Sequence, residues 1–310
     1  PSRESSLRVE HVRDARDFAA LGERWNGLLR ASRSDCFFLT WEWLYTWAEC
    51  CLKEDRQLFI LSIHKNNQLI GLAPWCIRRE SFCSLPIRSI EFLGGPELGS
   101  DYLDVFSKAR KEKEVACAIY DFLFKEAGVV WDQLRLSNIH SESLFFMNFL
   151  SLIEKDGRYA EIRVSAFCPR ADLRGTTEAF MAKLSSHRRQ HFTRELRMLQ
   201  KEVEVTHESV FAGDLRSALK EFEGVYSQRF GAAEIQIQFL ERIWSRYEGR
   251  HVIQVDLLRV AGRSVAGLLH LRYQDNLMLY LMAVDRSFST GVSVGNILVG
   301  LSIQKAATEG

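Results

Sequence analysis

Hydrophobic and polar residues follow strand-like and helix-like periods along the whole chain. In the first half, the pattern predicts helices at residues 14–30, 40–47, 112–126 and 141–154. It predicts strands in the same half at residues 7–12, 57–63, 68–77, 87–93, 102–106, 131–136 and 159–167. Because helix and strand signals alternate, we predict an α/β (α+β) fold in which helices flank mixed sheets.

A basic segment interrupts this series, and the same order of elements then starts again. Residues 176–203 predict one long amphipathic helix with a cationic face. After it, the pattern predicts a strand, two helices and three strands at residues 204–208, 214–230, 236–247, 251–259, 264–273 and 276–284. A shift of 196 residues superposes residues 69–72 on 265–268, which indicates a weak internal duplication. We therefore predict two domains, residues 1–170 and 203–310, joined by a basic connecting helix at 171–202.

The composition is that of an ordinary globular protein. Of its 310 residues, 46% are hydrophobic and 26% are charged, and the net charge of +1 gives no global attraction to nucleic acid or membranes. The seven cysteines never form a C-x-x-C pair, so we interpret them as reduced thiols and expect no metal. The first ten residues lack a signal-peptide pattern, and no apolar run is long enough to span a bilayer. We therefore expect a cytoplasmic protein without a transmembrane segment.

The last predicted strand leads into a loop that contains glycine and then into an apolar helix. The loop covers residues 285–295, and we expect the helix to begin at about Asn296. A loop of this kind leaves backbone N–H groups unpaired at the positive end of a helix, where a phosphate or pyrophosphate can bind. The alternative is a helix start whose small residues only allow tight packing.

The same loop contains the G-x-S-x-G pattern of serine hydrolases at residues 291–295. In those enzymes the serine follows the strand directly on a sharp turn, and an acid and a histidine follow later in the chain. Here several residues separate the strand from Ser293, and no histidine follows it. The sequence therefore disfavours a serine hydrolase.

The order of a strand, two helices, a hairpin, a third strand and a loop that opens a helix resembles the GNAT acyltransferase superfamily. Two tandem copies joined by a basic helix resemble the FemAB-type double-GNAT arrangement. Four segments are similar to CelD-like acetyltransferases of cellulose and exopolysaccharide biosynthesis, namely residues 38–43, 68–74, 184–189 and 293–298. Since GNAT folds continue past this helix with another strand, the resemblance implies that the second copy is C-terminally incomplete.

The resemblance implies acyl-coenzyme A, in particular acetyl-coenzyme A, as the cosubstrate. Its pantetheine would pair with the strand that ends at Ala283 and Val284. Its pyrophosphate would be held by backbone amides of Gly291, Val292, Ser293, Val294, Gly295 and Asn296. The superfamily loop follows the pattern Q/R-x-x-G-x-G/A, and this chain has Thr290, Ser293 and Gly295 at those positions, so only the last one matches.

The implied reaction is direct acyl transfer, in which an amine or hydroxyl of the acceptor attacks the thioester carbonyl and a base takes its proton. The candidate bases are His270, Tyr280 and Asp285. Each also has a structural interpretation: His270 as a buried core residue, Tyr280 as a packing residue and Asp285 as the cap of a turn.

The acceptor that the resemblance suggests is a small molecule or saccharide, such as a sugar or amine of a polysaccharide pathway. One alternative is a non-catalytic double-GNAT scaffold protein. Another is FemAB-type aminoacyl transfer from tRNA, in which the basic helix around Arg188 and Arg197 would contact RNA. We expect no nucleic-acid partner outside that last alternative.

Overall fold

The computed structural model describes residues 7–126, 128, 131–230, 234–247, 250–288 and 291–309. The chain divides into two compact units, Pro1–Phe167 and Cys168–Gly310. Both units contain a four-stranded antiparallel sheet with helices packed against it. This architecture confirms the predicted α/β fold class.

The first unit contains five α-helices and eight strands among its described residues. The helices are α1 (Ala15–Ala20), α2 (Gly22–Arg30), α3 (Trp41–Cys51), α4 (Glu112–Phe124) and α5 (Leu144–Lys155). The strands are β1 (Leu7–Val12), β2 (Arg56–Leu58), β3 (Ile60–Lys65), β4 (Gln68–Ala73), β5 (Trp75–Phe82), β6 (Leu85–Phe92), β7 (Phe106–Ser107) and β8 (Gln133–Arg135). They form one antiparallel sheet in the order β1-β3-β4-β7 and a second, mixed sheet in the order β2-β5-β6-β8.

Large aromatic side chains build the core of the first unit. Trp25 of α2 and Trp43 and Trp47 of α3 are at most 1% exposed. In α3 the two tryptophans lie four residues apart and therefore share one helical face. Trp25 packs edge-on against Phe106 of β7, which fixes α2 on the sheet. The aromatic α3 segment is therefore part of a packed core.

The second unit contains five helices and four strands among its described residues. The helices are α6 (Thr177–Lys183), α7 (Ser186–Glu202), α8 (Leu215–Phe230), α9 (Glu234–Arg246) and α10 (Val294–Glu309). The strands are β9 (Val205–Val210), β10 (Ile253–Val260), β11 (Arg263–Tyr273) and β12 (Asn276–Val284). They form one antiparallel sheet in the order β12-β11-β10-β9.

Corresponding hairpins in the two units support the internal duplication. Asn66 and Asn67 turn between β3 and β4 with φ values of 50° and 62°, and Ala261 and Gly262 turn between β10 and β11 with φ values of 49° and 79°. Such left-handed two-residue turns match the twist of the paired strands. The pairing register shifts at corresponding positions of the two hairpins, between Ile63 and His64 in the first and between Leu258 and Arg259 in the second. The turn residue Asn66 therefore corresponds to Ala261, 195 positions later. The predicted shift of 196 residues is too long by one residue in the hairpins.

Helices α10 and α7 pack on one face of the β12-β11-β10-β9 sheet of the second unit. Their shared core contains Leu199 of α7, Ile297 and Leu298 of α10, and Leu258 and Leu268 of the sheet. Helix α7 therefore belongs to the hydrophobic core of the second unit. Its apolar stripe, not its cationic face, makes this contact.

Several predicted elements differ from the structure. The helix predicted at residues 14–30 is α1 and α2, and the strands predicted at 57–63 and 68–77 are each divided between two strands of different sheets. The single helix predicted at residues 176–203 is two helices, because Leu184 is extended and the Ser185 hydroxyl accepts a hydrogen bond from the Arg188 amide, which starts α7 anew. The strand predicted at residues 159–167 is not formed, and Tyr159 and Phe167 are 88% and 89% exposed. Its alternating pattern finds no partner strand among the described residues.

All seven cysteines are free thiols. Within the described ranges, every helix is too short or too polar to cross a lipid bilayer.

Candidate functional site

Strand β12 forms one edge of the sheet of the second unit, and the glycine-containing loop of residues 285–295 begins directly after it. On its inner side, Ala283 pairs with Gly267 and Val284 pairs with Ala266 of β11. On its outer side, no strand of the described residues pairs with it. The backbone N–H and C=O groups of an edge strand can pair with an extended ligand. Ala283 and Val284 therefore lie where a pantetheine chain could add to the sheet.

A β-bulge interrupts the pairing of β12 at Tyr280. Leu269 pairs with Leu281 and His270 pairs with Leu279, so Tyr280 is the extra residue on the edge strand. Bulges change the direction of side chains and occur often beside active sites. The bulge places the half-buried Tyr280 on the same edge as Ala283 and Val284.

Asp285 closes the strand at the start of the loop. Its amide donates to the Val265 carbonyl at 2.9 Å, and its carboxylate accepts from the Ser287 hydroxyl at 2.7 Å, the Ser287 amide at 2.8 Å and the Arg263 guanidinium. The Ser287 hydroxyl, helped by the Ser287 amide and the Arg263 charge, outweighs burial and lowers the pKa of Asp285. The carboxylate is 1% exposed and fully engaged, a geometry typical of a cap.

The loop ends at the start of α10, two residues earlier than predicted. The first amides of a helix have no intrahelical acceptor, so those of Val294, Gly295 and Asn296 are directed at whatever lies beyond the helix end. Ser293 and Asn296 are exposed. The predicted loop position Thr290 lies outside the described residues.

The two glycines of the loop are favoured at their positions for different structural reasons. Gly291 has a φ of +71°, a left-handed conformation that side chains rarely adopt, and Val292 after it packs partly against the core. Gly295 is buried, and a Cβ there would lie 3.0 Å from Cγ2 of Val284. Gly295 therefore allows α10 to approach the end of β12 closely.

A carboxylate that sequence reasoning missed lies at the start of α10. The Ser293 amide donates to Oε1 of Glu195 at 3.4 Å, and Nδ1 of His191 lies 3.5 Å from Oε2. The Glu195 side chain is 11% exposed, although it projects from the otherwise cationic helix α7. Glu195 precedes Ser293 by 98 residues, so no local sequence pattern links the two.

His270 lies in a buried polar cluster between the sheet and α10. Its Nε2 is 3.3 Å from Oδ2 of Asp256 and 3.2 Å from the hydroxyl of Ser302, and His270 itself is 5% exposed. His207 approaches Asp256 at 3.8 Å, and Gln254 donates to its other oxygen at 2.9 Å. Burial opposes the ionisation of Asp256, but the nearby imidazoles of His207 and His270 outweigh it and hold the pKa of the carboxyl far below its usual range.

The cluster is not arranged like a serine-hydrolase triad. Asp256 and Ser302 both approach the same ring nitrogen of His270, and Nδ1 of His270 has no partner among the described residues. A triad needs the acid and the serine on opposite nitrogens. Asp256 and Ser302 were missed from the sequence. The available signal was a charged residue inside the apolar strand around 253–258.

The cationic face of α7 forms an open groove of about 520 Å³. Its lining includes the exposed residues Arg194, Arg197 and Lys201, as well as Arg189, which donates to two carbonyls at the end of α6. The groove is a local concentration of positive charge on a chain whose net charge is only +1. No three His, Cys, Asp or Glu side chains of the described residues form a metal site.

Residues 186–310 match the family model Acetyltransf_6, the acetyltransferase (GNAT) domain. This match covers α7, the sheet of the second unit, the loop of residues 285–295 and α10. The part of the chain that contains the candidate site is therefore similar to GNAT acetyltransferase domains, as the sequence pattern predicts.

Comparison with solved structures gives matches that cover nearly the whole chain. FemX is 12% identical, with a TM-score of 0.55 over 97% of this chain and 86% of that chain. A tandem GNAT protein from the clavulanic acid biosynthesis pathway is 11% identical (TM-score 0.38; 98% and 86%), and a conserved protein from Bacteroides thetaiotaomicron is 11% identical (TM-score 0.46; 97% and 88%). At such identities the likeness to FemX shows the fold alone. No curated protein matched the sequence, and closeness to CelD-like proteins stays a prediction.

Proposed function

We propose that the second unit binds acyl-coenzyme A, in particular acetyl-coenzyme A, and transfers its acyl group to an amine or hydroxyl. The observation that carries this proposal is the edge strand β12, followed by a loop that leads into the N-terminus of α10 in a segment similar to GNAT domains. The outer edge of Ala283 and Val284 supplies backbone partners for pantetheine. The amides of residues 291–296 supply donors and a positive helix end for pyrophosphate.

The reaction needs an oriented thioester and a route for one proton. The acceptor forms a bond to the carbonyl carbon, the C–S bond breaks, and the departing thiolate takes up a proton. Backbone N–H groups near Val284 would polarise the carbonyl oxygen. The protein then has to position the donor at the β12 edge and supply a proton-transfer group beside it.

Among the three candidates, we assign proton transfer to Tyr280. It lies at the bulge on the edge strand where acyl-coenzyme A is proposed to bind, and its phenol O–H is a group that can protonate a departing thiolate. Asp285 is held by Ser287 and Arg263, which suits a role in fixing the loop. Imidazole is a common general base, but the ring of His270 is buried against Asp256 and Ser302, and an acceptor could reach it only if the sheet and α10 moved apart.

The acceptor, a polysaccharide-pathway sugar or amine, belongs to the proposal on the resemblance alone, as does a cytoplasmic location. The likeness to FemX fits the alternative of aminoacyl transfer from tRNA but does not favour it. The cationic groove on α7 is the surface that such an alternative would use. A non-catalytic scaffold would keep the fold and lack donor binding.

Calorimetric titration with acetyl-coenzyme A tests the proposal, with Asn296→Asp as the variant. Asn296 is exposed at the third position of α10, so aspartate adds one negative charge at the proposed pyrophosphate site without changing side-chain size. Repulsion of about 1–3 kcal/mol corresponds to a roughly fivefold to 150-fold loss of affinity. Aspartate in the first turn favours the helix, so folding is preserved.

Asn276→Asp is the matched control, because it makes the same chemical change at the exposed opposite end of β12. Gly295→Asp is a poorer test, since its Cβ would collide with Val284. Wild-type affinity in N276D together with lost affinity in N296D supports the proposal. Absence of binding by the folded wild-type protein contradicts it.

A further inference from the structure

Glu195 presents a buried negative charge to the end of α10 that the proposed donor would occupy. Its Oε1 accepts from the Ser293 amide at 3.4 Å, and its side chain is only 11% exposed. Carboxylates at helix N-termini use the same amides and the same positive field as phosphate groups. The protein therefore already carries an anion at this position.

The packing of α7 on α10 determines where this carboxylate lies. Leu199 is in the core shared with α10, Leu196 packs against that core, and a Cβ at Gly300 would meet the Phe192 ring. These contacts surround Glu195 along the same helix. Its backbone therefore has little freedom to move away, although the side chain can rotate about its own bonds.

The one ion-pair partner of this carboxylate among the described residues is the imidazole of His191, at 3.5 Å from Oε2, and it carries a charge only when it is protonated. Of the exposed cations of α7, Arg194, Arg197 and Lys201 line the groove and Arg188 does not, and no described ion pair joins any of them to Glu195. The charge of Glu195 is thus directed at the helix end, where it repels a second anion.

We propose that Glu195 is the resident anion of the α10 N-terminus and the residue that limits how tightly the loop binds a phosphate-bearing donor. This inference rests on the proposed function in that both concern the same loop. A pyrophosphate group has to displace the carboxylate or bind beside it. Glu195 is therefore a specificity-determining residue, which disfavours donors whose affinity depends on this anion site alone.

Binding of inorganic pyrophosphate to the full chain tests this inference, with variants Glu195→Gln and Glu195→Ala. Glutamine keeps an oxygen for the Ser293 amide and removes the charge, and alanine removes both. Both variants should bind pyrophosphate at least about tenfold more tightly than the wild type. Glu204→Gln is the control, because it removes one charge from an exposed position in the same unit, and its affinity should equal that of the wild type.

Equal affinity in the wild type and E195Q overturns the inference, including the case in which neither binds. A gain in E195Q without a gain in E195A also overturns it, since the new amide donor rather than the lost charge would then explain the gain. Acetyl-coenzyme A is titrated separately. If it fails to bind while pyrophosphate binds more tightly to both variants, the proposed function fails and the role of Glu195 stands.

Discussion

The contact between α7 and α10 can be tested by placing one methyl group at Gly300. A Cβ there would lie 2.2, 2.7 and 2.9 Å from three ring carbons of Phe192, far inside van der Waals contact. Alanine in a helix interior is favoured over glycine by about 1 kcal/mol, whereas overpacking costs about 1–3 kcal/mol. We therefore expect Gly300→Ala to leave stability unchanged or to lower it by up to about 2 kcal/mol.

A second glycine in the same unit separates the two effects. Gly224 lies inside α8, and a Cβ there would meet nothing within 4 Å. Gly224→Ala should therefore stabilise the unit by about 1 kcal/mol. Because the propensity change is the same in both variants, the difference between them isolates the steric overlap, about 1–3 kcal/mol.

The assay is urea unfolding, with hydrogen exchange of the α7 amides as a local measure. The double variant Phe192→Ala with Gly300→Ala should lose less stability than the sum of the two single variants, because the overlap exists only when both groups are present. Equal stabilisation by G300A and G224A would refute the packing of α7 on α10. The position of Glu195 at the start of α10 would then also be in doubt.

Two further predictions concern the polar residues of the site. Asp256→Asn should destabilise the second unit by about 1–3 kcal/mol at neutral pH. Because the folded-state pKa of Asp256 is lowered, its stabilisation is present above the ordinary aspartate pKa of about 3.9 and is lost as pH falls below it. Acid unfolding followed by circular dichroism should therefore be steeper below about pH 4 for the wild type than for D256N, and identical profiles would contradict this. Tyr280→Phe should lower the rate of acyl transfer by roughly 10²–10⁴-fold with little change in acetyl-coenzyme A affinity, and an unchanged rate would exclude Tyr280 from proton transfer.

Much of the fold is readable from local sequence because its elements are amphipathic. Strands β10, β11 and β12 and helix α8 lie within a few residues of their predicted bounds. Prediction failed where the element depends on a single capping hydrogen bond or on the presence of a partner strand. Ser185 splits the basic helix by capping α7, and residues 159–167 have a strand pattern without a partner.

The candidate site likewise has one part that the sequence predicts and one part that depends on strand pairing. The chain order alone brings β12, the loop and α10 together, since they are adjacent in sequence, and it therefore predicts Ala283, Val284 and residues 291–296 as one surface. The bulge that sets Tyr280 apart depends on the register of β12 against β11. Register is a property of the pair of strands and cannot be read from one strand.

The sequence by itself determined the repeated order of strands and helices, the hairpin turns and the glycine loop before α10, because periodicity and turn chemistry act over a few residues. Only the tertiary structure decided that Glu195 reaches Ser293 and that Asp256, His270 and Ser302 meet beneath α10. These contacts join residues that are 14 to 98 positions apart. Packing of a helix on a sheet selects them, and no local pattern encodes which side chains that packing will bury together.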